Sequence, residues 1–456
     1  MPYIEPGVYL NLIENLTTAG GYTPALTPLI MGSGATIMTR TEVITRSSVG
    51  LIDTLPVNAK AIKSVGYTTG NTDFTPVTDF AFVADSATIT WKTPVVGSVK
   101  NPAAGENYSV TFTYAVDDTQ YGPKLVYSLA DIKSYYGTDT KTEEGGAVNP
   151  IAVGLRIALE MGTSPVYALQ VKPPVSGIVT ATEYAASLDA FAKFIATAWR
   201  IVPMDYDDAI NAVVDAHVRS CSTWEERLER CTIYGHQHAA FTTFTDMLTS
   251  IGGYAQGKKS KRITVPYPDS ATKLLDDGLF HTLGAPFVAA AYAGLESSMP
   301  VQQSKTRAVI SCFNELKGIP MTRGQKNALA ATGVMILEQP YGAGSNVIVR
   351  HQITTDMTSA QTRENSIVGI EDYCSKYLRG VCDQYIGKYN VTPDTITRVR
   401  GSLSSAIAQL IGNGTIISGN ILSLAQDINN PDTLLVEVEI LPPYPCNYIK
   451  ITLYVD

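Results

Sequence analysis

The sequence is poor in charged residues and lacks a long apolar run. Only 17% of its 456 residues are Asp, Glu, Lys or Arg, below the quarter that is usual in globular proteins. The longest apolar stretch, residues 287–295, is far shorter than the roughly 20 residues that a membrane-spanning helix needs. The first residues, MPYIEPGVYL, have neither a basic start nor an apolar core. We therefore expect no secretory signal peptide and no insertion into a membrane.

Cysteine and basic residues are also scarce. The 34 Lys and Arg against 42 Asp and Glu give a net charge of −8, which argues against a general nucleic-acid binder. The 36 Gly and 25 Pro are close to average usage and exclude a collagen-like or low-complexity chain. Six cysteines are too few for a disulfide framework, so free thiols in a reducing cytosol are expected at Cys221, Cys231, Cys312, Cys374, Cys382 and Cys446.

The length predicts about three domains, preceded by an arm. In residues 1–22, Val8, Leu10 and Leu12 alternate as in a β-strand, and a small flexible segment, TTAGGY, follows them. A strand isolated in this way cannot bury its faces locally and must pair with something else. Residues 23–35 and 121–335 alternate apolar strands with helical segments, which predicts an α/β domain with a largely parallel sheet.

Two further segments differ in character from this α/β domain. Residues 36–120 contain short alternating strands, such as ATITW and YSVTFTYAV, between frequent turns, which predicts an inserted all-β domain, a sandwich or small barrel. Residues 336–456 predict an α+β C-terminal domain, with a hairpin turn at Gly342 and Gly344 and long helices. It ends in two alternating strands, residues 434–440 and 448–455, joined by a Pro-rich turn.

Two segments come close to known binding motifs. The GGYAQGK segment from Gly252 to Lys258 has the glycine spacing of a phosphate-binding loop. However, Lys259 follows where Ser or Thr should hold Mg²⁺, so a helix-ending loop before a basic run is the favoured interpretation. The second segment could supply four zinc ligands, but its cysteines are separated by nine residues, unlike a zinc knuckle, so ordinary packing is favoured for Cys221, Cys231, His236 and His238.

The remaining candidate chemistry is weak. Ser33 lacks the frame of a nucleophile elbow, and none of the five histidines lies beside a plausible nucleophile. The acidic cluster Asp205, Asp207 and Asp208 could bind a cation, but it is better explained by capping the helix that follows. The sequence therefore predicts no catalytic, cofactor or metal site. The strand-like termini stand out instead: each could pair within its own chain or add a strand to a neighbour's sheet.

In their order along the chain, several segments resemble the contractile tail sheath proteins of bacteriophages and related injection machines. They are residues 5–11 (EPGVYLN), 123–137 (PKLVYSLADIKSYYG), 149–171 (NPIAVGLRIALEMGTSPVYALQV), 324–355 (GQKNALAATGVMILEQPYGAGSNVIVRHQITT) and 375–390 (SKYLRGVCDQYIGKYN). The resemblance implies a structural, non-enzymatic virion protein, assembled in the host cytoplasm, with a subtilisin-like α/β core that lacks catalytic residues. Its subunits would form stacked six-membered rings around an inner tube and shorten to drive that tube through the host envelope.

The resemblance also implies the partners and the contact residues. The partners would be further copies of the chain, the tail tube protein, and baseplate and neck or terminator proteins, with no nucleic acid and no cofactor. Neighbouring subunits would exchange strands through Val8, Tyr9, Leu10, Leu12, Val436, Val438, Ile440, Ile449, Ile451, Leu453 and Val455. Acidic groups on the tube could meet Lys376, Arg379, Lys388, Arg398 and Arg400, unless these line a solvated helix face.

Three further hypotheses stay open at this stage. Cys446, in the predicted C-terminal turn, could form a disulfide with a neighbouring subunit. The chain could instead be an α/β enzyme with an inserted β domain, which a bound metal or cofactor would favour. It could also be another ring-forming virion protein, such as a baseplate or tube component, although a tube protein is expected to be smaller and mainly β.

Overall fold

The computed structural model describes residues 26–97, 99–175, 177–223, 225–342 and 344–453. The predicted N-terminal arm, with Val8, Tyr9, Leu10 and Leu12, lies outside the described residues, as does Val455. The first described strand, β1 (Thr27–Gly32), is buried along its whole length, as expected for an apolar run at the centre of a sheet.

The chain then leaves the central sheet and forms an all-β unit. Its strands are β2 (Ile37–Thr45), β3 (Ile52–Gly66), β4 (Phe80–Phe82), β5 (Ser86–Trp91) and β6 (Asn107–Ala115). They pair antiparallel in one sheet, in the order β2-β6-β3-β5-β4. The described strands therefore form neither the two sheets of the predicted sandwich nor the closed ring of its alternative, a small barrel. Register shifts along β3 bend the sheet around its own aromatic core, which includes Phe74, Trp91 and Tyr108.

The chain next returns to the centre and alternates strands with helices. The helices are α1 (Leu129–Tyr136), α2 (Pro150–Glu160), α3 (Ala181–Ala190), α4 (Asp208–Cys221), α5 (Phe244–Met247), α6 (Gly253–Lys258), α7 (Ala285–Ser298) and α8 (Arg323–Ala330). A π-helical turn, Leu248–Gly252, joins α5 to α6, and single 3-10 turns lie at Asp118–Tyr121, Thr142–Glu144 and Ala192–Phe194.

The strands of this part mostly complete the central sheet. They are β7 (Lys124–Val126), β8 (Thr140–Lys141), β9 (Ala147–Val148), β10 (Val166–Gln170), β11 (Ala198–Pro203), β12 (Cys231–Ile233), β13 (Ile263–Tyr267), β14 (Ser270–Leu274), β15 (Phe280–Leu283), β16 (Val309–Ile310), β17 (Glu315–Lys317), β18 (Val334–Glu338) and β19 (Val347–Val349). The central sheet has nine strands in the order β16-β19-β18-β13-β12-β11-β1-β10-β7.

Six neighbouring strands in the middle of the central sheet are parallel, in the order β18-β13-β12-β11-β1-β10. This confirms the predicted, largely parallel sheet. Antiparallel strands close both ends of the sheet. The buried helix α7 packs closely against α2, where a Cβ on Gly294 would lie 2.7 Å from the carbonyl oxygen of Ala158. The predicted boundary between residues 335 and 336 falls inside β18, so the start of the predicted C-terminal domain belongs to the central sheet.

The C-terminal part consists of α9 (Ala360–Arg363), α10 (Asn365–Asp383), α11 (Pro393–Gly412), β20 (Ser418–Gln426) and β21 (Leu434–Leu441). We expected β21 to pair with residues 448–455, but it pairs antiparallel with β20, which the sequence did not predict. Residues 442–453 form neither helix nor strand, because the prolines after β21 interrupt the backbone ladder. Of the described helices, none has the length and hydropathy to span a bilayer.

Candidate functional site

The four candidate zinc ligands do not come together. Cys221 Sγ lies 3.5 Å from Nε2 of His217, whereas Cys231 Sγ lies 3.7 Å from Oδ2 of Asp372. Burial raises the pKa of both thiols, which disfavours the thiolate form that binds metal. Among the described residues, no three His, Cys, Asp or Glu side chains are grouped in a way that could hold a metal ion.

The two histidines instead contact separate carboxylates at the carboxyl ends of the parallel strands. His236 Nδ1 lies 2.8 Å from Oδ2 of Asp208, and His238 Nε2 lies 2.5 Å from Oδ2 of Asp269. Burial alone would lower the pKa of His238, but hydrogen bonds to Asp269 and to the carbonyl of Ala239 outweigh it and raise the pKa. His238 is therefore more readily protonated than a free histidine, and its contact with Asp269 connects the segment after β12 to the segment after β13.

The glycine-rich segment is not a phosphate-binding loop. Gly252 has helical backbone angles, and residues 253–258 continue the same helix as α6. The helix ends where Lys259 takes a left-handed conformation, with φ of 38°. The segment is therefore helical and not the expected helix-ending loop. Its backbone amides are used in helical hydrogen bonds and cannot cradle an anion.

The acidic cluster after β11 is divided among three structural tasks. Asp205 accepts hydrogen bonds from Ser33 Oγ at 2.5 Å and from the Tyr184 hydroxyl at 2.8 Å. Asp207 caps α4 by accepting from the amide of Ala209, as the sequence indicated, and the third carboxylate binds His236 as described above. Ser33 is thus paired with a carboxylate and not with an imidazole, which is not the arrangement of an activated nucleophile.

The β20–β21 hairpin is a two-stranded sheet with two open edges. One face, which includes Val438 and Ile440, packs against the helices α10 and α11, and Val436 lies on the same face nearer to solvent. Within the described part of the chain, neither β20 nor β21 has a further strand beside it. Each outer edge therefore offers unpaired backbone donors and acceptors, which is the requirement for adding a strand from another chain.

Beyond this hairpin, the C-terminal segment carries exposed apolar side chains. Tyr448, Ile449, Ile451 and Leu453 are 79% to 86% exposed. Three of them alternate along the chain with the period of a β-strand, although the segment has no strand partner in the described residues. Large apolar side chains exposed together in this way mark an interaction site. The open hairpin and the exposed segment are thus two complementary features of one chain.

Two of the five proposed tube-contact residues do not lie free on the surface. Lys376 is buried, so it is wrongly predicted as a surface contact: it lies one turn of α10 after Asp372, whose carboxylate accepts a hydrogen bond from Trp199 of the central sheet. Burial lowers the pKa of Lys376 to about 8, and its Nζ finds no hydrogen-bond partner among the described residues. Arg379 is half-buried, forms an ion pair with Glu229 and donates to the carbonyl of Arg227 at 2.8 Å.

The other three basic residues lie on the surface. Lys388 and Arg398 line a shallow groove of about 480 Å³ together with Tyr385 and Tyr389. Arg398 is held along α11 by Asp394, with Nε and Oδ2 2.9 Å apart. A groove with two cations and two aromatic rings suits a partner that presents carboxylates. The third of these residues, Arg400, is exposed two positions after Arg398 and therefore on a different side of α11.

All six cysteines, each of which the structure describes, are free thiols. Cys221, Cys231, Cys312 and Cys374 are buried, and Cys382 is partly buried. Cys446 is exposed and lies at the base of the C-terminal segment. The disulfide with a neighbouring subunit stays a prediction.

Comparison with known proteins supports the resemblance stated above. The chain is 30% identical over 346 residues to the tail sheath protein of Mycobacterium phage Bxz1. The match covers 75% of this chain and 58% of the phage protein, so the chain spans little more than half of its curated relative. No protein family model matches the chain.

Solved structures share the fold at low sequence identity. The helical sheath of the anti-feeding prophage in its contracted state is 12% identical with a TM-score of 0.60, and the match covers all of both chains. The sheath complex of an extracellular contractile injection system, PVC, in its contracted state is 13% identical with a TM-score of 0.55, over 75% of this chain and 89% of the other. A chain of the contracted anti-feeding prophage baseplate is 15% identical with a TM-score of 0.57, over 100% and 99%. The chain therefore has the mixed α/β multidomain fold of these proteins.

Proposed function

Because the chain is related in sequence to a phage tail sheath protein and shares the fold of contractile sheaths, we propose that it is a structural subunit of a contractile phage tail sheath. Subunits assemble in the host cytoplasm as stacked hexameric rings around an inner tube, and the sheath becomes part of the virion tail. Shortening of the sheath drives the tube through the host envelope. The observation that carries the proposal is the pairing of an open-edged hairpin with an exposed, strand-patterned C-terminal segment in the same chain.

The C-terminal segment joins neighbouring subunits by strand addition. Ile449, Ile451 and Leu453, with Val455, supply the alternating face of a donated strand, and the open edges of β20 and β21 accept it. The N-terminal residues Val8, Tyr9, Leu10 and Leu12 provide a second donated strand. The main-chain hydrogen bonds of these donated strands keep neighbouring subunits linked while whole subunits rotate, because they depend little on side-chain contacts between the domains of the subunits.

The central α/β domain serves as a rigid, non-catalytic body of the subtilisin-like type. Its candidate chemical groups are engaged with one another: Ser33 with Asp205, His236 with Asp208, and His238 with Asp269. Contraction needs no nucleotide, since the shortened sheath buries more surface between subunits than the extended one. An advantage of about 1–2 kcal/mol per subunit sums to a large total over many identical copies.

The basic groove between α11 and the segment that follows α10 meets the tube. Lys388 and Arg398 line the groove and can reach acidic side chains of a tail tube protein, whereas Arg400 offers a further exposed cation on another side of α11. Exposed ion pairs contribute about 0–1 kcal/mol each. Such weak contacts hold the sheath on the tube before contraction and release it during contraction. Baseplate and neck or terminator proteins bind the two ends of the sheath.

Negative-stain electron microscopy of the purified protein tests the proposal. We compare the full chain with a variant lacking residues 448–456, a variant lacking residues 1–16 and a variant lacking both segments. The full chain should form striated hollow cylinders, alone or on added tubes of the tail tube protein, and the double deletion should form none. Small particles from the full chain in the presence of tubes, or cylinders from the double deletion, would contradict the proposed strand-linked sheath.

A further inference from the structure

The C-terminal segment is fastened to the body at one place before it becomes exposed. Asn447 Nδ2 donates to Oε1 of Glu364 at 3.2 Å and lies 3.1 Å from Nε2 of His351. His351 Nε2 lies 2.9 Å from the same carboxylate oxygen. Glu364 immediately precedes α10, so the contact joins the base of the segment to the start of that helix.

The carboxylate at the centre of this contact is buried and ionised. Glu364 is 1% exposed. Burial alone would raise its pKa, but hydrogen bonds from His351, Arg363 and Asn447 outweigh it and lower the pKa below its ordinary value. A buried carboxylate that gathers several donors forms strong, charge-assisted hydrogen bonds. Removing one donor should therefore weaken the attachment more than the loss of an exposed hydrogen bond would.

Another hydrogen bond holds the chain three residues before Asn447. The Tyr444 hydroxyl accepts from Nε2 of Gln361 on α9 at 2.8 Å. Two prolines, Pro442 and Pro443, lie between β21 and this contact and restrict the backbone. The side-chain hydrogen bonds that the structure gives for residues 442–453 thus fall at positions 444 and 447, whereas Ile449 and the residues after it expose their apolar side chains.

We propose that Glu364, His351 and Asn447 form a latch that fixes where the C-terminal segment leaves its own subunit and aims residues 448–453 at a second copy of this chain. The inference rests on the proposed function. The latch removes conformational freedom from the base of the segment before a neighbour is met, so less entropy is lost when the strand is added. Asn447 and Glu364 are positioning residues, because they act through the segment and do not form the donated strand.

The mobility of a label at Cys446 tests the latch in the unassembled subunit. A nitroxide is attached to Cys446 in a Cys382→Ser background, where the remaining cysteines are buried. We compare Asn447→Ala with Asn390→Ala, which changes an exposed asparagine outside the latch. The electron paramagnetic resonance spectrum should sharpen strongly in Asn447→Ala and stay unchanged in Asn390→Ala. Equal spectra from both variants would overturn the latch. Asn447→Ser provides a milder second variant if Asn447→Ala fails to fold.

An assembly measurement separates the latch from the proposed function. The protein concentration needed for half-maximal cylinder formation should rise about tenfold in Asn447→Ala, the equivalent of one lost charge-assisted hydrogen bond. A mobile label with an unchanged concentration would overturn the role of the latch in assembly. Failure of the proposed function is a different result: the parent protein forms no cylinders on tubes, whether or not its label is immobilised.

Discussion

Arg200 and Glu296 form a bidentate ion pair in the interior of the protein. Nε and Oε2 are 2.6 Å apart, and Nη2 and Oε1 are 2.7 Å apart, with side-chain exposures of 0% and 1%. Arg200 lies on β11 and Glu296 on α7, and Nη2 also donates to Oδ1 of Asn365 at 3.1 Å, where α10 begins. The pair thus connects the central sheet, the helix that covers it and the C-terminal helices.

Replacing one partner of this pair should be strongly destabilising. Glu296→Ala leaves the guanidinium of Arg200 buried and uncompensated, so we expect a loss of about 3–5 kcal/mol in the free energy of unfolding. Urea denaturation followed by circular dichroism measures it. Glu315→Ala breaks the exposed pair with Lys317 and should cost at most about 1 kcal/mol. Similar small losses from both variants would contradict the structural role assigned to the buried pair.

Lys376→Met should stabilise the protein at neutral pH. Its ammonium is buried without a hydrogen-bond partner among the described residues, and burial lowers its pKa to about 8, below the value of 10.5 expected in the unfolded chain. Burying the charge therefore costs stability at pH 7, and we expect the substitution to recover about 1–3 kcal/mol.

The pH dependence of Lys376→Met distinguishes this cause from better packing. Between pH 8 and 10.5 the unfolded chain holds the proton more tightly than the folded one, so the stability of the parent rises with pH. The advantage of Lys376→Met should accordingly shrink from pH 7 to pH 9.5. Lys388→Met, at an exposed position, is the matched control and should show no such trend. An advantage that is constant over this range would point to packing.

His238 should stabilise the protein mainly at acidic pH. Its folded pKa is raised above 6.5 through the hydrogen bond to Asp269, so its contribution is complete below pH 6.5 and is lost as the pH rises through the folded pKa. His238→Gln should therefore destabilise more at pH 6 than at pH 9, as measured by urea unfolding at both values. His281→Gln, in the more exposed pair with Asp277, is the control and should have a smaller effect. An effect of His238→Gln that grows with pH would contradict the assignment.

Patterns of apolar residues in the sequence predicted strands and helices well where the folded chain buries the same residues that the pattern marks as apolar. The apolar segments around Ile30, Leu169 and Ile201 became neighbouring parallel strands, because a run that is apolar on every residue fits only between two layers. Ser128 and Gly137 bound α1, and a serine before a helix and a glycine after it are typical sequence signals for the two ends. The sheet order was not predictable, since the two pairings that place β1 in the middle of the sheet join residues more than 100 positions apart.

The predictions were wrong where one local sequence pattern is compatible with two structures, such as a buried or an exposed side chain. Lys376 lies on a helix whose sequence mixes apolar and polar residues, and only its burial in the folded chain shows that this position faces inward. The strand β20 was missed because Ser418, Gly419 and Asn420 resemble a loop, and its partner β21 supplies the strand geometry. The anchoring role of Asn447 has no local signal at all, because the residues that it contacts lie more than 80 positions earlier.

Reversing the charge of the basic groove should weaken binding to the tube without unfolding the subunit. Lys388→Glu and Arg398→Glu change exposed side chains, and Arg398→Glu also replaces the ion pair with Asp394 by a like-charge contact, so the free energy of unfolding should fall by no more than about 1 kcal/mol. If the groove meets carboxylates on the tube, the double variant replaces attraction by repulsion at every copy of the contact. Co-sedimentation with preformed tubes of the tail tube protein measures the binding.

The salt dependence of that binding decides whether the contact is electrostatic. Binding of the parent should weaken as NaCl rises from 50 to 500 mM, since exposed charges are screened over about 4–14 Å in this range. The double variant should bind weakly and respond little to salt. Lys60→Glu combined with Lys100→Glu changes two exposed lysines of the all-β unit, shifts the net charge by the same amount and should bind as the parent does. If this double control weakens binding as much as the double groove variant, the effect comes from total charge, and the groove is not the tube contact.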